Sequence, residues 1–180
     1  MFLRLFLVRL RARRARPLAT WDVGRARFRV GLRDLDVLRH MNNGVYLSLM
    51  DLGRLDLMLR NGVWAELGRR GWYPVIAAQT ITYRRSLELG QRFVIETRLL
   101  GLEGKELLLE QRFTVGGEIH ARAVVRARML ARSGERISAV QLAAAFDARD
   151  APGIRDPWIA AWAEASALPP AREPAPSVWD

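Results

Sequence analysis

The chain has 180 residues, half of them hydrophobic and 27% charged, a globular composition that suits one domain with short flanks and cannot house two catalytic domains. It contains no cysteine and only two histidines, His40 and His120, which excludes disulfide scaffolds, thiol nucleophiles, thiolate zinc sites and iron–sulfur clusters and leaves no ligand spacing for a metal. The net charge is +10, but six arginines and no acid fall within residues 1–16, so the other 164 residues carry only +4; with no helix-turn-helix, RNP or zinc-finger pattern beside it, this charge does not predict nucleic-acid binding.

Residues 1–16 place Phe2, Leu3, Leu5, Phe6, Leu7 and Val8 ahead of a run of arginines. The stretch is too short to span a bilayer, and its charge follows the apolar part where a secretory signal would have it first. Two expectations stand for it: a basic segment lying on an anionic membrane surface, or an unstructured terminus that adds nothing to the fold. From Arg25 to Leu32 apolar and arginine residues alternate, which predicts a half-buried strand. Gly44 to Arg60 is rich in Leu and Met and ends at Asn61-Gly62, which predicts one helix of about four to five turns. Its apolar residues run around most of the circumference, so the sheet is expected to wrap it.

Four strands follow, over Val75 to Arg85, Gln91 to Leu100, Lys105 to Val115 and Glu118 to Leu130, with Gly116-Gly117 as a two-residue hairpin turn. A last strand near Arg136 to Val140 and a short alanine-rich helix to Phe146 are expected to close the domain. The remainder, 148–180, holds six of the eight prolines together with Trp158, Trp162 and Trp179; it reads as a tail, pinned near Trp158 to Trp162 and loose after Leu168. The division is thus an extension over 1–21, a domain over 22–147 and a tail over 148–180. The class is α+β, an antiparallel sheet of five to six strands around one long central helix. Repeated βαβ crossovers and G-x-G-x-x-G loops are absent, which rules out Rossmann and TIM architectures.

The polar string Asp34-Leu35-Asp36-Val37-Leu38-Arg39-His40-Met41-Asn42-Asn43-Gly44-Val45-Tyr46 stands where the first strand meets the helix. Its D-x-D…H-M-N-N-x-x-Y pattern, continued by Asp51 and Arg54, resembles hotdog-fold thioesterases of the 4-hydroxybenzoyl-CoA thioesterase type, and the order of elements matches over residues 22–146. It is also similar to the corresponding string of plant acyl-ACP thioesterases, although Leu38 stands where those enzymes carry a functional asparagine and Arg39 where other relatives carry glycine. The resemblance implies a hotdog fold, hydrolysis of an acyl-CoA or acyl-carrier-protein thioester in lipid metabolism, no metal or cofactor, and a homodimer or homotetramer in the cytoplasm or at a membrane.

A carboxylate ahead of a helix whose first N–H groups are unpaired is stabilised in its ionised form, so Asp36 is expected to be the base or nucleophile. Backbone donors near Asn43 would polarise the thioester carbonyl. A thiolate leaves without a strong acid, so no triad is required, and no G-x-S-x-G elbow is present. His40 is expected with Asp36 and Asn43 in the catalytic group, positioning the substrate or binding its pantetheine or CoA end, with a structural hydrogen-bonding role as the alternative. Asn42 and Tyr46 are expected at the substrate, with loop-building and packing as their alternatives, and Arg39, Arg84 and Arg85 at the CoA phosphates or on a solvated surface. Asp34 is expected to satisfy loop N–H groups, and Asp51 with Arg54 to form an internal or interface pair. Rival readings are a non-catalytic acyl-binding or membrane-attached protein contacting lipid through residues 1–16, and an enoyl-thioester hydratase or dehydratase using an Asp/His pair.

Overall fold

The computed structural model describes residues 2–169 and 172–177. In chain order the elements are α1 (Phe2–Arg14), β1 (Gly24–Arg29), a 3-10 turn (Leu32–Asp34), α2 (Asn43–Arg60), α3 (Val63–Arg69), β2 (Trp72–Tyr83), β3 (Arg92–Glu103), β4 (Glu106–Val115), β5 (Glu118–Ala131), α4 (Ala139–Ala145), a second 3-10 turn (Ala148–Asp150) and α5 (Pro157–Ala165). The five strands form one antiparallel sheet in the order β1-β3-β4-β5-β2.

Strict alternation sets which face of the sheet meets α2. Phe93, Ile95 and Leu99 of β3, Leu107, Leu109 and Phe113 of β4, and Ala121, Ala123, Val125, Ala127 and Met129 of β5 all belong to one buried cluster with Leu49, Met50 and Leu57 of α2. The helix packs tightly on the sheet at Gly53. A Cβ there would stand 2.9 Å from the Ile95 Cγ2, 3.0 Å from the Gln111 Nε2 and 3.1 Å from the Thr97 Oγ1, so only glycine fits. Both residues of the Gly116-Gly117 turn have positive φ, +58° and +88°, as a two-residue hairpin of this twist requires.

Three expectations change. The terminus is not an idle tail: α1 packs along α2, with Val8 and Ala12 buried, and the Arg60 guanidinium reaches the Arg16 carbonyl at 3.1–3.2 Å. The apolar circumference of α2 is therefore covered by the sheet on one side and by α1 on the other. No strand forms at Arg136–Val140. Ser138 instead caps α4, accepting the Gln141 N–H while the Gln141 side chain accepts the Ser138 N–H, and this capping box turns the chain into a helix.

The expected pinning near Trp158 to Trp162 takes the form of α5, which lies on the opposite face of the sheet, where Ile159 and Ala163 pack on Leu100, Leu108 and Val124. Arg126 donates to the Ala163 carbonyl near the end of α5, and Arg122 reaches Asp156 at its start (2.8 Å). Trp179 lies outside the described residues.

Candidate active site

The segment from Asp34 to Asn43 is a closed loop tied at both ends. Asp34 is buried at its base; its carboxylate accepts from Arg4 of α1 (2.8 and 2.5 Å) and from the Gly31 N–H (2.7 Å), and its carbonyl accepts from the Asn42 N–H (2.8 Å). Burial pushes the Asp34 carboxyl up, but the Arg4 guanidinium and the Gly31 N–H outweigh it and hold the group below the ordinary aspartate value. The other anchor is the Met41 N–H, which donates to the Leu87 carbonyl between β2 and β3 (2.9 Å).

Asp36 stands within this frame, half-buried at the start of a tight turn. Its N–H donates to the His40 carbonyl (2.9 Å), and the Arg39 N–H donates back to its carbonyl (3.0 Å) with Arg39 at φ +62°. The Asp36 Oδ1 accepts from the N–H groups of Leu38 (2.9 Å) and His40 (3.3 Å), an Asx turn that fixes the carboxylate by one oxygen. Among the described residues Oδ2 makes no hydrogen bond or ion pair, which leaves it for water or substrate. The carboxylate does not cap α2. That task falls to Asn42, whose side chain accepts the Gly44 N–H (2.8 Å). Of the first N–H groups of α2, that of Asn43 engages no acceptor among the described residues.

The turn brings Asp36, Arg39 and His40 together, and the helix start adds Asn42 and Asn43, all four other than Asp36 being exposed. The His40 ring is not hydrogen-bonded to Asp36; only its backbone is. Tyr46 is not presented to a substrate. It is buried against Tyr83 (5.0 Å between ring centroids) and Phe113 (4.8 Å), burial raises its phenol above the ordinary value, and it supports the helix start from behind. Tyr83, which the sequence did not single out, places its hydroxyl 3.5 Å from the Asn43 carbonyl. Arg84 pairs with Glu118 (3.0 Å) and Arg85 is exposed, both with N–H groups on the His120 carbonyl.

Asp51 and Arg54 lie farther along α2 and bond to each other within the chain. Arg54 is buried and also donates to the Gln111 Oε1 (2.7 Å), while the Gln111 Nε2 donates to the Thr97 hydroxyl (2.9 Å) and the Met50 carbonyl (3.0 Å). Burial draws the Arg54 guanidinium below its ordinary value, with Asp51 opposing. Thr97 and Gln111 were missed in the sequence. Their signal was a polar residue at an inward position of an otherwise apolar alternation. Beside this network, between α2, α3 and the sheet, lies a cavity of about 270 Å3. Asp36 is not among its lining residues.

Residues 30–163 match the family model of the thioesterase-like superfamily. The chain is 41% identical over 95 residues to Protein THEM6 of Xenopus laevis, an alignment covering 53% of this chain and 46% of that protein, and 38% identical over 100 residues to Protein THEM6 of Danio rerio, covering 56% and 50%. It thus spans about half the length of the curated relatives it matches. Among solved structures, the fold is similar to YbaW of Escherichia coli, described as a "Probable Thioesterase" (TM-score 0.64, 23% identity, 68% of this chain and 96% of that one). It is also similar to a thioesterase from Thermus thermophilus complexed with coenzyme A and Zn (TM-score 0.56, 32% identity, 66% and 90%). A five-stranded sheet around one helix, the tied Asp36 loop at that helix's start and the match over residues 30–163 lead to one conclusion: the chain is a hotdog-fold member of the thioesterase-like superfamily.

Proposed function

We propose that the protein hydrolyses an acyl-CoA thioester to a carboxylic acid and free CoA, with Asp36 as the reacting carboxylate. The observation that carries this reading is the Asp36 carboxylate held by two loop N–H groups on one oxygen and free on the other. As a base, Oδ2 takes a proton from water, whose oxygen attacks the thioester carbon; the C–S bond breaks and the CoA thiolate receives the proton. As a nucleophile, Oδ2 itself attacks the thioester carbon and the C–S bond breaks, giving a mixed anhydride and the CoA thiolate; water then opens the anhydride to the acid and the Asp36 carboxylate, and the proton released goes to the thiolate. In either route the Asn43 N–H at the head of α2 supports the developing oxyanion. Hydration of an enoyl thioester would call for an acid/base pair, and the His40 ring is not joined to Asp36, which favours hydrolysis.

Coenzyme A as the thiol carrier is supported by the exposed arginines Arg39 and Arg85, whose guanidinium forks suit phosphate, and by the Thermus thermophilus relative that was solved with coenzyme A. A homodimer through β2 completes the site. Among the described residues this strand pairs only with β5, leaving a twelve-residue edge that exposes Tyr73, Ile76 and Tyr83, and an open edge of this length is a template for another strand. Tyr83 marks the Asp36 end of the edge and Ile76 the cavity end, roughly 23 Å apart at ~3.3 Å per residue. Antiparallel pairing of two copies about Gln79 brings the Asp36 loop of one to the cavity of the other.

The test is thiol release from short, medium, long and aromatic acyl-CoAs by wild type and Asp36→Asn, with sedimentation of the full chain in parallel. Release by wild type and its loss in the variant support the reading; no release from any acyl-CoA, or a monomer with full activity, overturns the corresponding part.

Peripheral membrane contact is a second proposal, favoured by one observation. Phe2, Leu3 and Phe6 on the outward face of α1 are exposed, the first at 89%, with Arg13 and Arg14 exposed two turns later on the same helix. Apolar side chains ahead of arginines suit an anionic lipid surface.

A further inference from the structure

Between Arg27 and Arg29 the free edge of β1 has lost its acceptors. Val30, just past the strand, donates to the Gln91 carbonyl (3.0 Å) and accepts from the Gly90 N–H (2.9 Å). By antiparallel alternation the backbone groups of Arg27 and Arg29 therefore point away from β3. Their carbonyls are taken by α1: Arg11 donates to that of Arg27 and Arg4 to that of Arg29, both at 3.2 Å. What this edge still offers is N–H groups and positive charge.

A groove of about 710 Å3 lies between the edge and α1. Six arginines line it, Arg11, Arg25, Arg27, Arg29, Arg60 and Arg92, against one carboxylate, Asp56, which is buried and bonded to Arg60 (3.3 Å). Arg25 is answered by Glu96 (2.9 Å), and the Arg29 Nε by the Gly90 carbonyl (2.8 Å). The guanidinium groups of Arg27 and Arg92 are on exposed residues and make no hydrogen bond or ion pair among the described residues. Arg92 also stands directly opposite Arg29 across the ladder, and like charges so placed destabilise a sheet. Farther along the same face the charges are balanced, with Glu110 held by Arg98, Arg112 and Arg122. The excess is thus confined to the groove, and no residue of the Asp36 loop lines it.

We propose that this groove binds a dianionic phosphate, as a phosphomonoester or a diphosphate, on Arg27, Arg29 and Arg92. Guanidinium forks match phosphate oxygens, and the edge N–H groups add neutral donors. Two negative charges relieve the Arg29 and Arg92 repulsion, which nothing on the protein offsets. A partner β-strand does not suit the same edge, because it would need the two carbonyls that α1 occupies. The phosphate belongs to a free small molecule or to a lipid headgroup. The site is separate from Asp36 and does not depend on the hydrolase reading.

The experiment titrates inorganic pyrophosphate into the full chain by calorimetry. Wild type is compared with the double variant Arg27→Ala, Arg92→Ala and with a control of equal charge loss, Arg13→Ala, Arg14→Ala, all four positions being exposed. Wild type binds saturably, the groove variant binds roughly tenfold more weakly or worse, as the loss of charged hydrogen bonds requires, and the control binds like wild type. The charge-keeping pair Arg27→Lys, Arg92→Lys replaces the alanine variant if that one fails to fold, and it too binds more weakly because the forks are gone. Co-sedimentation with vesicles containing phosphatidic acid or phosphatidylglycerol separates the two sources. For a lipid headgroup, wild type prefers phosphatidic acid and the groove variant loses that preference; for a free ligand, vesicle binding is the same in both while pyrophosphate binding is lost. Absence of saturable pyrophosphate binding, or equal weakening in the groove variant and the control, overturns the proposal.

Discussion

Arg4 grips both carboxylate oxygens of Asp34, at 2.8 and 2.5 Å, and so ties a helix outside the hotdog core to the base of the loop that carries Asp36. Asp34 is 5% exposed and holds the Gly31 N–H as well, so removing the guanidinium leaves a buried carboxylate with half its partners. Arg4→Ala is expected to cost about 1–3 kcal/mol, the range for a charged hydrogen bond with a partly buried partner, and to lower the reaction rate by loosening the loop. Urea titration gives the first quantity and thiol release the second; an unchanged midpoint would dismiss this anchor.

Acid sensitivity follows chiefly from two buried carboxylates. Asp34 lies below its ordinary value, and so does Glu110 on the outer face of the sheet, where burial is outweighed by Arg112, Arg98 and Arg122. For a group whose folded value is lowered, the unfolded chain binds the proton first. The stabilisation is therefore complete above the unfolded value of about 4 and is lost as pH falls through the lower folded value. Tm should hold from pH 7 to about 5 and drop steeply below ~4. Arg4→Ala should shrink that drop; a Tm flat down to pH 2.5 would contradict both assignments.

Asp36→Asn should separate chemistry from architecture. The amide oxygen can still accept the Leu38 and His40 N–H groups that Oδ1 holds, so the turn persists while the base or nucleophile is gone. A loss of a hundredfold or more in kcat, about 2.7 kcal/mol at ~1.36 kcal/mol per tenfold, is expected with little change in Tm. Asp36→Ala should lower both. Equal activity of Asp36→Asn and wild type would remove Asp36 from the mechanism.

Gly53→Ala should destabilise despite the better helix propensity of alanine, which favours it by ~1 kcal/mol. The new methyl would meet Ile95, Gln111 and Thr97 at 2.9–3.1 Å, and two of these belong to the hydrogen-bonded network around Arg54. Overpacking of about 1–3 kcal/mol cancels or exceeds the propensity gain. Denaturant unfolding would decide: a variant more stable than wild type by ~1 kcal/mol would mean that α2 can lift from the sheet without penalty.

Lipid contact is testable without deleting α1, whose Val8 and Ala12 belong to the packed interior. The triple variant Phe2→Ser, Leu3→Ser, Phe6→Ser changes only exposed positions. It should keep its Tm and lose co-sedimentation with anionic vesicles; retention of binding, or no binding by wild type, would end the membrane proposal.

The strand and helix periods were written locally and survived the comparison with the structure. β1, α2 and the four strands from β2 to β5 lie within a few residues of where alternation and helical spacing put them, and the Gly116-Gly117 turn is where two adjacent glycines allow positive φ. The Asp34 to Tyr46 string likewise pointed to the loop at the head of α2. At Ser138 a local signal was present but overlooked: Ser-x-x-Gln is a capping box, and the segment starts a helix where a strand was expected.

What the sequence determined by itself was therefore every feature that depends on neighbours a few positions away: periodicity, turns, caps and the loop's own motif. The tertiary structure alone decided which side chains meet across long separations. Arg4 finds Asp34 thirty residues on, Arg126 finds the Ala163 carbonyl thirty-seven residues on, and Phe146 lines the same cavity as Ile76, seventy residues earlier. It also decided the fates of α1, of α5 and of Tyr46, whose side chain is in the core although its place beside Asn43 suggested a ligand contact. The reason is physical: a hydrogen-bond or packing partner is chosen by the global path of the chain, and no local pattern encodes whether a half-apolar segment is covered by a sheet, another helix or solvent.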